Sequence, residues 1–126
     1  MIISRVEPNE PTFGYYSELK TLWRQGKLSS VRFEFYGDKL TQENLSLEHL
    51  RPKSKGGKTV LSNLVLASKR NNGHRSSKPL KDFINAETVA KYLNQFIDVQ
   101  VEGFNGNKYI DAIWHTVHNI LKGGKL

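Results

Sequence analysis

Glu48 and His49 stand side by side in a short apolar run that Pro52 closes. A basic loop follows, with Gly56-Gly57 at its tip. A second apolar run from Leu61 to Ala67, interrupted by Ser62 and Asn63, leads into a polar segment holding Asn72, His74 and Arg75. This order constrains the fold more than anything else in the chain. Leu45 to Leu50 predicts a short strand, and Pro52 ends it because proline cannot donate to a ladder. Lys53 to Thr59 predicts a loop, Leu61 to Ala67 a second strand-like run, and Ser68 to Ser77 a short helix stopped near Pro79.

Charge is concentrated on the same stretch. The chain has 126 residues, 19 basic and 12 acidic, for a formal charge of +7. Between His49 and Lys81 lie nine basic residues and no Asp or Glu. The remainder of the chain has ten basic residues against 12 acidic, so the whole positive excess surrounds the motif. That distribution points to a polyanion, with nucleic acid foremost, ahead of mere solubility.

The flanks predict one domain over 1–126, with a motif core at about 45–81 and a helical C-terminal part at about 85–122. Pro8 and Pro11 punctuate an extended or irregular opening. Tyr16, Leu19, Leu22 and Trp23 recur at helical spacing from Tyr15 to Gln25, and Gly26 supplies a stop. Ser30 to Tyr36 alternates, with Val31, Phe33 and Phe35 on one face, and predicts a half-buried strand before a Gly37-Asp38 turn. Asn85 is an N-cap candidate for a helix whose core stripe is Val89, Leu93, Phe96 and Ile97. A second stripe, Ile110, Ile113, Trp114, Val117, Ile120 and Leu121, predicts a final helix ended by Gly123-Gly124. His115 and His118 read as surface or cap residues of that helix. There is no cysteine, which excludes disulfides and cysteine zinc ligands and fits an intracellular protein. No apolar run reaches membrane-spanning length, and MIISRVEPNE lacks the apolar core of a signal peptide, so the expected location is the cytoplasm with no membrane partner.

The candidate chemistry is phosphodiester hydrolysis. It needs a base to deprotonate water, a Lewis acid on the phosphate and positive groups along the strand. Imidazole titrates near neutrality and suits the base. Successive strand side chains point to opposite faces, so Glu48 and His49 diverge and divide the work between a metal and water. An Asn can ligate a hard cation through its amide oxygen or orient the imidazole through a hydrogen bond. Asn63 and Asn72 are both available for these roles.

From Leu45 to Lys81 the chain resembles the HNH, or ββα-metal, endonuclease family, on Glu48-His49-Leu50-Arg51-Pro52-Lys53-Ser54-Lys55-Gly56-Gly57, then Asn63-Leu64-Val65-Leu66-Ala67, then Asn72 with Arg75 three residues on. The resemblance implies an α+β fold: a ββα-metal core with added N-terminal and C-terminal helices. It implies that His49 is the general base and that Asn63 braces the loop and orients His49. It further implies that Glu48 and Asn72 ligate one divalent cation, with His74 replacing or joining Asn72. Oxygen ligation implies Mg²⁺ or Mn²⁺; a His74 ligand would admit Zn²⁺ or Ni²⁺. Arg51, Lys53, Lys55, Lys58, Arg70 and Arg75 are the candidate phosphate contacts. The implied activity is that of a DNA endonuclease or nickase, monomeric or homodimeric, acting on double-stranded DNA and similar to small phage or mobile-element proteins. A catalytically inactive DNA-binding module and a structural interaction protein are the alternatives.

The chain departs from the family pattern at Glu48, where Asp is commoner. It also departs in lacking the two CxxC pairs that hold a structural zinc in many members. Ser68 and Asn71 stand where the second pair would be. Stability is therefore expected from apolar packing of the C-terminal helices on the motif.

Overall fold

The computed structural model describes residues 18–123. Pro8, Pro11, Tyr16 and Gly124 lie outside the described residues. The content is mixed: α1 (Glu18–Arg24), β1 (Leu45–His49), β2 (Leu64–Ser68), α2 (Lys69–Arg75), α3 (Ala86–Asn94), β3 (Gln100–Val101), β4 (Phe104–Asn105) and α4 (Gly106–Gly123). Among the described residues no helix is long and apolar enough to cross a membrane.

β1 and β2 pair antiparallel, with Leu47 opposite Leu66 and His49 opposite Leu64. α2 follows β2 directly. Ser68 caps it, its hydroxyl accepting from Asn71 N at 3.1 Å, which satisfies a helix-start donor. Every residue of β2 is buried. A two-stranded sheet leaves open edges whose backbone groups still need partners. Tyrosines from the C-terminal helices fill that need: Tyr92 Oη accepts from Leu66 N at 3.0 Å, and Tyr109 Oη donates to Leu64 O at 2.7 Å. The two hydroxyls lie 2.9 Å apart. Burial pushes both phenols' pKa upward, so they remain protonated donors. The expected packing of C-terminal helices on the motif is thus present, and it is polar at its contact with the strand as well as apolar around it.

The core gathers Leu19, Phe35, Leu66, Leu93, Phe96 and Ile113, among others. Two expected core assignments are corrected. Ile97 is 54% exposed: it lies beyond the end of α3 at Asn94, in a turn where its neighbour Phe96 takes the buried position. On α4 the fully buried side chains are Tyr109, Ile113, Val117 and Ile120, while Leu121 is 38% exposed. Ile113, Val117 and Ile120 of the expected stripe are buried, Ile110 and Trp114 pack against the core half-buried, and Leu121 alone turns outward.

The expected strand from Ser30 to Tyr36 is also corrected. Only an isolated bridge, Phe33 to Lys39, forms there. Phe33 is 49% exposed, whereas its polar neighbour Glu34 is 1% exposed. The inversion comes from a tight turn in which Gly37 adopts φ 105° and Glu34 N donates to Asp38 O at 2.7 Å. The turn aims the Glu34 carboxylate inward. Its Oε1 accepts from Ser68 N at 2.8 Å, and its Oε2 accepts from Asp38 N at 2.9 Å and Asn71 Nδ2 at 2.8 Å. Asn71 Nδ2 also reaches Asp38 Oδ2 at 2.9 Å. This hydrogen-bonded clip ties the turn to the β2–α2 junction, at Ser68 and Asn71, the positions where the second CxxC pair would stand in the family the sequence resembles.

Candidate functional site

Glu48 and His49 diverge across β1. Glu48 is 2% exposed and faces α2. Its Oε2 accepts from Arg75 Nη1 at 3.1 Å and from the Tyr36 hydroxyl in a short contact. Arg75, 0% exposed, also donates from Nη1 to His49 O at 3.2 Å and from Nε to Lys78 O at 2.8 Å. One guanidinium thereby joins the strand, the helix and the turn after it. Two buried atoms keep no hydrogen-bond partner among the described residues, Glu48 Oε1 and Arg75 Nη2.

Desolvation pushes the Glu48 carboxyl up to about 7, outweighing the Tyr36 hydrogen bond and the Arg75 charge that pull it down. Tyr36 is raised well above the phenol range by burial and by the neighbouring carboxylate, so it stays a donor. Arg75 was expected as a phosphate contact. The structure differs: Arg75 is buried and committed to Glu48 and two carbonyls.

His49 is half-buried. Its Nε2 lies 2.9 Å from Thr59 Oγ1. Burial, and then the Lys53 charge, lower its pKa below the usual imidazole value. The ring is consequently neutral near neutral pH, the state a base requires.

Asn63 does brace the loop. Its Oδ1 accepts from Arg51 N at 2.8 Å, and its Nδ2 donates to Arg51 O at 3.1 Å and Lys58 O at 2.8 Å. One side chain therefore pins both ends of the basic loop. Between those ends the backbone folds closely on itself: a Cβ on Gly57 would stand 1.6 Å from Arg51 O, which leaves room for glycine alone. The orientation of the His49 ring falls to Thr59, not to Asn63.

Asn72 sits on α2 with its Nδ2 donating to Ser46 Oγ at 2.9 Å and Leu47 O at 3.3 Å. Residues 72 and 75 share a helix face by their spacing, and that face lies along β1. Glu48, Asn72 and Arg75 are thus brought into one seam between β1 and α2. His74 is not brought into it; the ring is exposed and packs edge-on against Phe83 at 5.6 Å.

The donor chemistry of the seam suits a hard divalent cation. Glu48 Oε1 is an acceptor with no partner among the described residues, and the bonds of the Asn72 amide to β1 use its nitrogen, so its oxygen is of the type that a hard cation accepts. Against this stands the guanidinium on the other carboxylate oxygen. Among the described residues no three His, Cys, Asp or Glu side chains gather where they could hold a metal, so water and phosphate oxygens would have to complete any shell.

Lys53, Lys55, Lys58 and Arg70 are exposed and Arg51 is half-buried. Lys55 Nζ donates to Ser77 O at 3.0 Å, which links the basic loop to the segment after α2. Tyr36, Ser46 and Thr59 were not singled out from the sequence. No local pattern marks them; each becomes part of the site only because the fold carries it to Glu48, Asn72 or His49. Compared with family models, with curated proteins and with solved structures, the chain finds no match.

Proposed function

We propose that this chain is a metal-dependent endonuclease or nickase of the HNH type, hydrolysing phosphodiester bonds in double-stranded DNA as a monomer or homodimer. The observation that carries the reading is the division of β1. Glu48 turns toward α2 and Asn72, while His49 turns toward Thr59 and the braced basic loop. The antiparallel β1–β2 pair, its basic connection and the helix that follows support this reading by their order.

The parts have separate tasks. In the tautomer in which His49 Nε2–H donates to Thr59 Oγ1, the Nδ1 lone pair is left to take a proton from the attacking water. Glu48 and Asn72 would hold a divalent cation, Mg²⁺ or Mn²⁺ before Zn²⁺ or Ni²⁺, which supplies Lewis acidity at the phosphate and the 3′ leaving oxygen. Arg51, Lys53, Lys55, Lys58 and Arg70 contact backbone phosphates. Arg75 neutralises Glu48 from within instead of touching the strand.

A second reading, a catalytically inactive DNA-binding module, is favoured by one specific observation: the Arg75 guanidinium already occupies an oxygen of the carboxylate. Supercoiled plasmid with wild type and His49→Ala, in Mg²⁺, Mn²⁺, Zn²⁺, Ni²⁺ or EDTA, separates the two. Metal-dependent nicking or linearisation by wild type, reduced about 10²–10⁴-fold in His49→Ala with DNA binding kept, supports the enzyme. A salt-sensitive gel shift with no cutting in any metal supports the module. Neither binding nor cutting would leave a structural interaction protein.

A further inference from the structure

The basic loop and α4 form the two walls of an open groove of about 260 Å³, lined by Arg51, Lys58, Ser62, Asn63, Thr116 and Asn119, among others. Both walls are fixed. Asn63 pins the Arg51 and Lys58 backbones through its three hydrogen bonds. Thr116 Oγ1 donates to Ser62 O at 2.7 Å and ties α4 to the segment that floors the groove. Two cationic residues and no acidic one line the groove. Asp111, the single acid of α4, lies more than two helical turns before Asn119.

We infer that this groove is a subsite for a second backbone phosphate of the nucleic-acid strand, separate from the scissile one, with α4 as part of the nucleic-acid interface. The inference rests on the nucleic-acid reading above. Its chemistry follows from the lining. Backbone phosphates are contacted by Arg and Lys together with Ser, Thr and Asn side chains; Arg51, Lys58, Ser62 and Asn119 line the groove, while Thr116 and Asn63 spend their donors on its walls. A water takes about 30 Å³ of liquid volume, so the space admits a phosphodiester with its hydration. Walls held by internal hydrogen bonds need little ordering on binding, so the contact loses less of its energy to entropy. The groove does not include Glu48 or Asn72. A phosphate there therefore sets the path of the strand and leaves metal ligation untouched.

The test uses a short fluorescein-labelled DNA duplex and anisotropy in EDTA, so that binding is read without cutting. Asn119→Glu places a carboxylate in the groove at an exposed helical position and weakens binding about two- to fivefold. Asn94→Glu makes the same charge change on the exposed side of α3 and leaves binding unchanged. Lys58→Gln lowers the slope of log K against log salt by about 1. Matching circular dichroism and melting curves establish that the variants fold. Wild-type binding with Asn119→Glu no weaker than Asn94→Glu overturns the subsite and leaves the nucleic-acid reading standing. No binding by wild type at any salt overturns both.

Discussion

Arg75 Nη1 lies 3.1 Å from Glu48 Oε2, and neither side chain reaches solvent. The pair links β1 to α2 at the point where the proposed metal would be held. Burying both charges costs desolvation that the contact only partly returns. The unpartnered Glu48 Oε1 and Arg75 Nη2 mark where that return is incomplete. Apolar side chains of similar size would serve stability as well or better, so the pair is not explained by stability alone.

Removing one partner of this pair is expected to be severe. Arg75→Ala should lower stability by about 3–5 kcal/mol, read from urea unfolding midpoints. Arg75→Lys should recover little, because an ammonium cannot serve Glu48, His49 O and Lys78 O with a fork. A loss below about 1 kcal/mol for Arg75→Ala would match a solvent-exposed pair and contradict the burial.

The raised Glu48 carboxyl gives a pH signature. A ligand must be deprotonated, so apparent Mn²⁺ affinity should fall about tenfold per pH unit below the folded pKa of about 7. In metal-free protein the same shift acts on stability with a definite sign. The folded value of about 7 lies above the reference value of 4.5, so this group's contribution is complete below 4.5 and is lost as pH rises through 7. Titration calorimetry with Mn²⁺ and melting temperatures across pH read the two effects. A pH-independent Mn²⁺ affinity across this range would remove Glu48 from the ligand set.

His49 predicts the other limb. Its pKa is lowered from 6.5, and a base works in its neutral form. Cutting by wild type should therefore hold level near neutral pH and decline only below 6.5. Plasmid nicking at saturating metal across pH checks this, and a decline beginning well above 6.5 would point to a different base.

The Asn63 brace should be costly to remove. Asn63→Ala deletes three hydrogen bonds to backbone atoms at the two ends of the basic loop, worth about 1 kcal/mol each. Stability should fall by about 2–4 kcal/mol, and the amides of Arg51 and Gly57 should exchange faster with solvent. Unchanged protection at those amides would show that the loop holds itself without Asn63.

The Glu34 clip predicts a structural effect with no metal in it. Glu34→Ala leaves Ser68 N, Asp38 N and Asn71 Nδ2 without their shared acceptor and should cost about 2–4 kcal/mol. Added Zn²⁺ should not restore the loss. Rescue by Zn²⁺ would assign this junction a metal-binding role instead.

Local signals made much of the chain legible. Ser68 and Asn85 cap α2 and α3, as their residue types favour. Gly26 follows α1 at φ 79°, and Gly56 turns the basic loop at φ 89°. β1, β2 and α2 follow the order that the Leu47–Arg75 stretch implied, and Glu48 and His49 part across the strand because alternation is a property of the backbone itself.

The tertiary structure decided what those local rules leave open. Alternation over Val31, Phe33 and Phe35 reads as a strand; Val31 and Phe35 are buried, but Glu34 is buried in place of Phe33, because three donors from the turn and the β2–α2 junction meet its carboxylate. Arg75 read as a surface contact, yet it is buried, because Glu48 lies inside and needs an opposite charge. The sequence by itself determined the order of elements, their caps and turns, and the concentration of positive charge around the motif. Only the fold chose which charged groups would be desolvated, since that depends on what covers a side chain and which partners arrive from elsewhere in the chain.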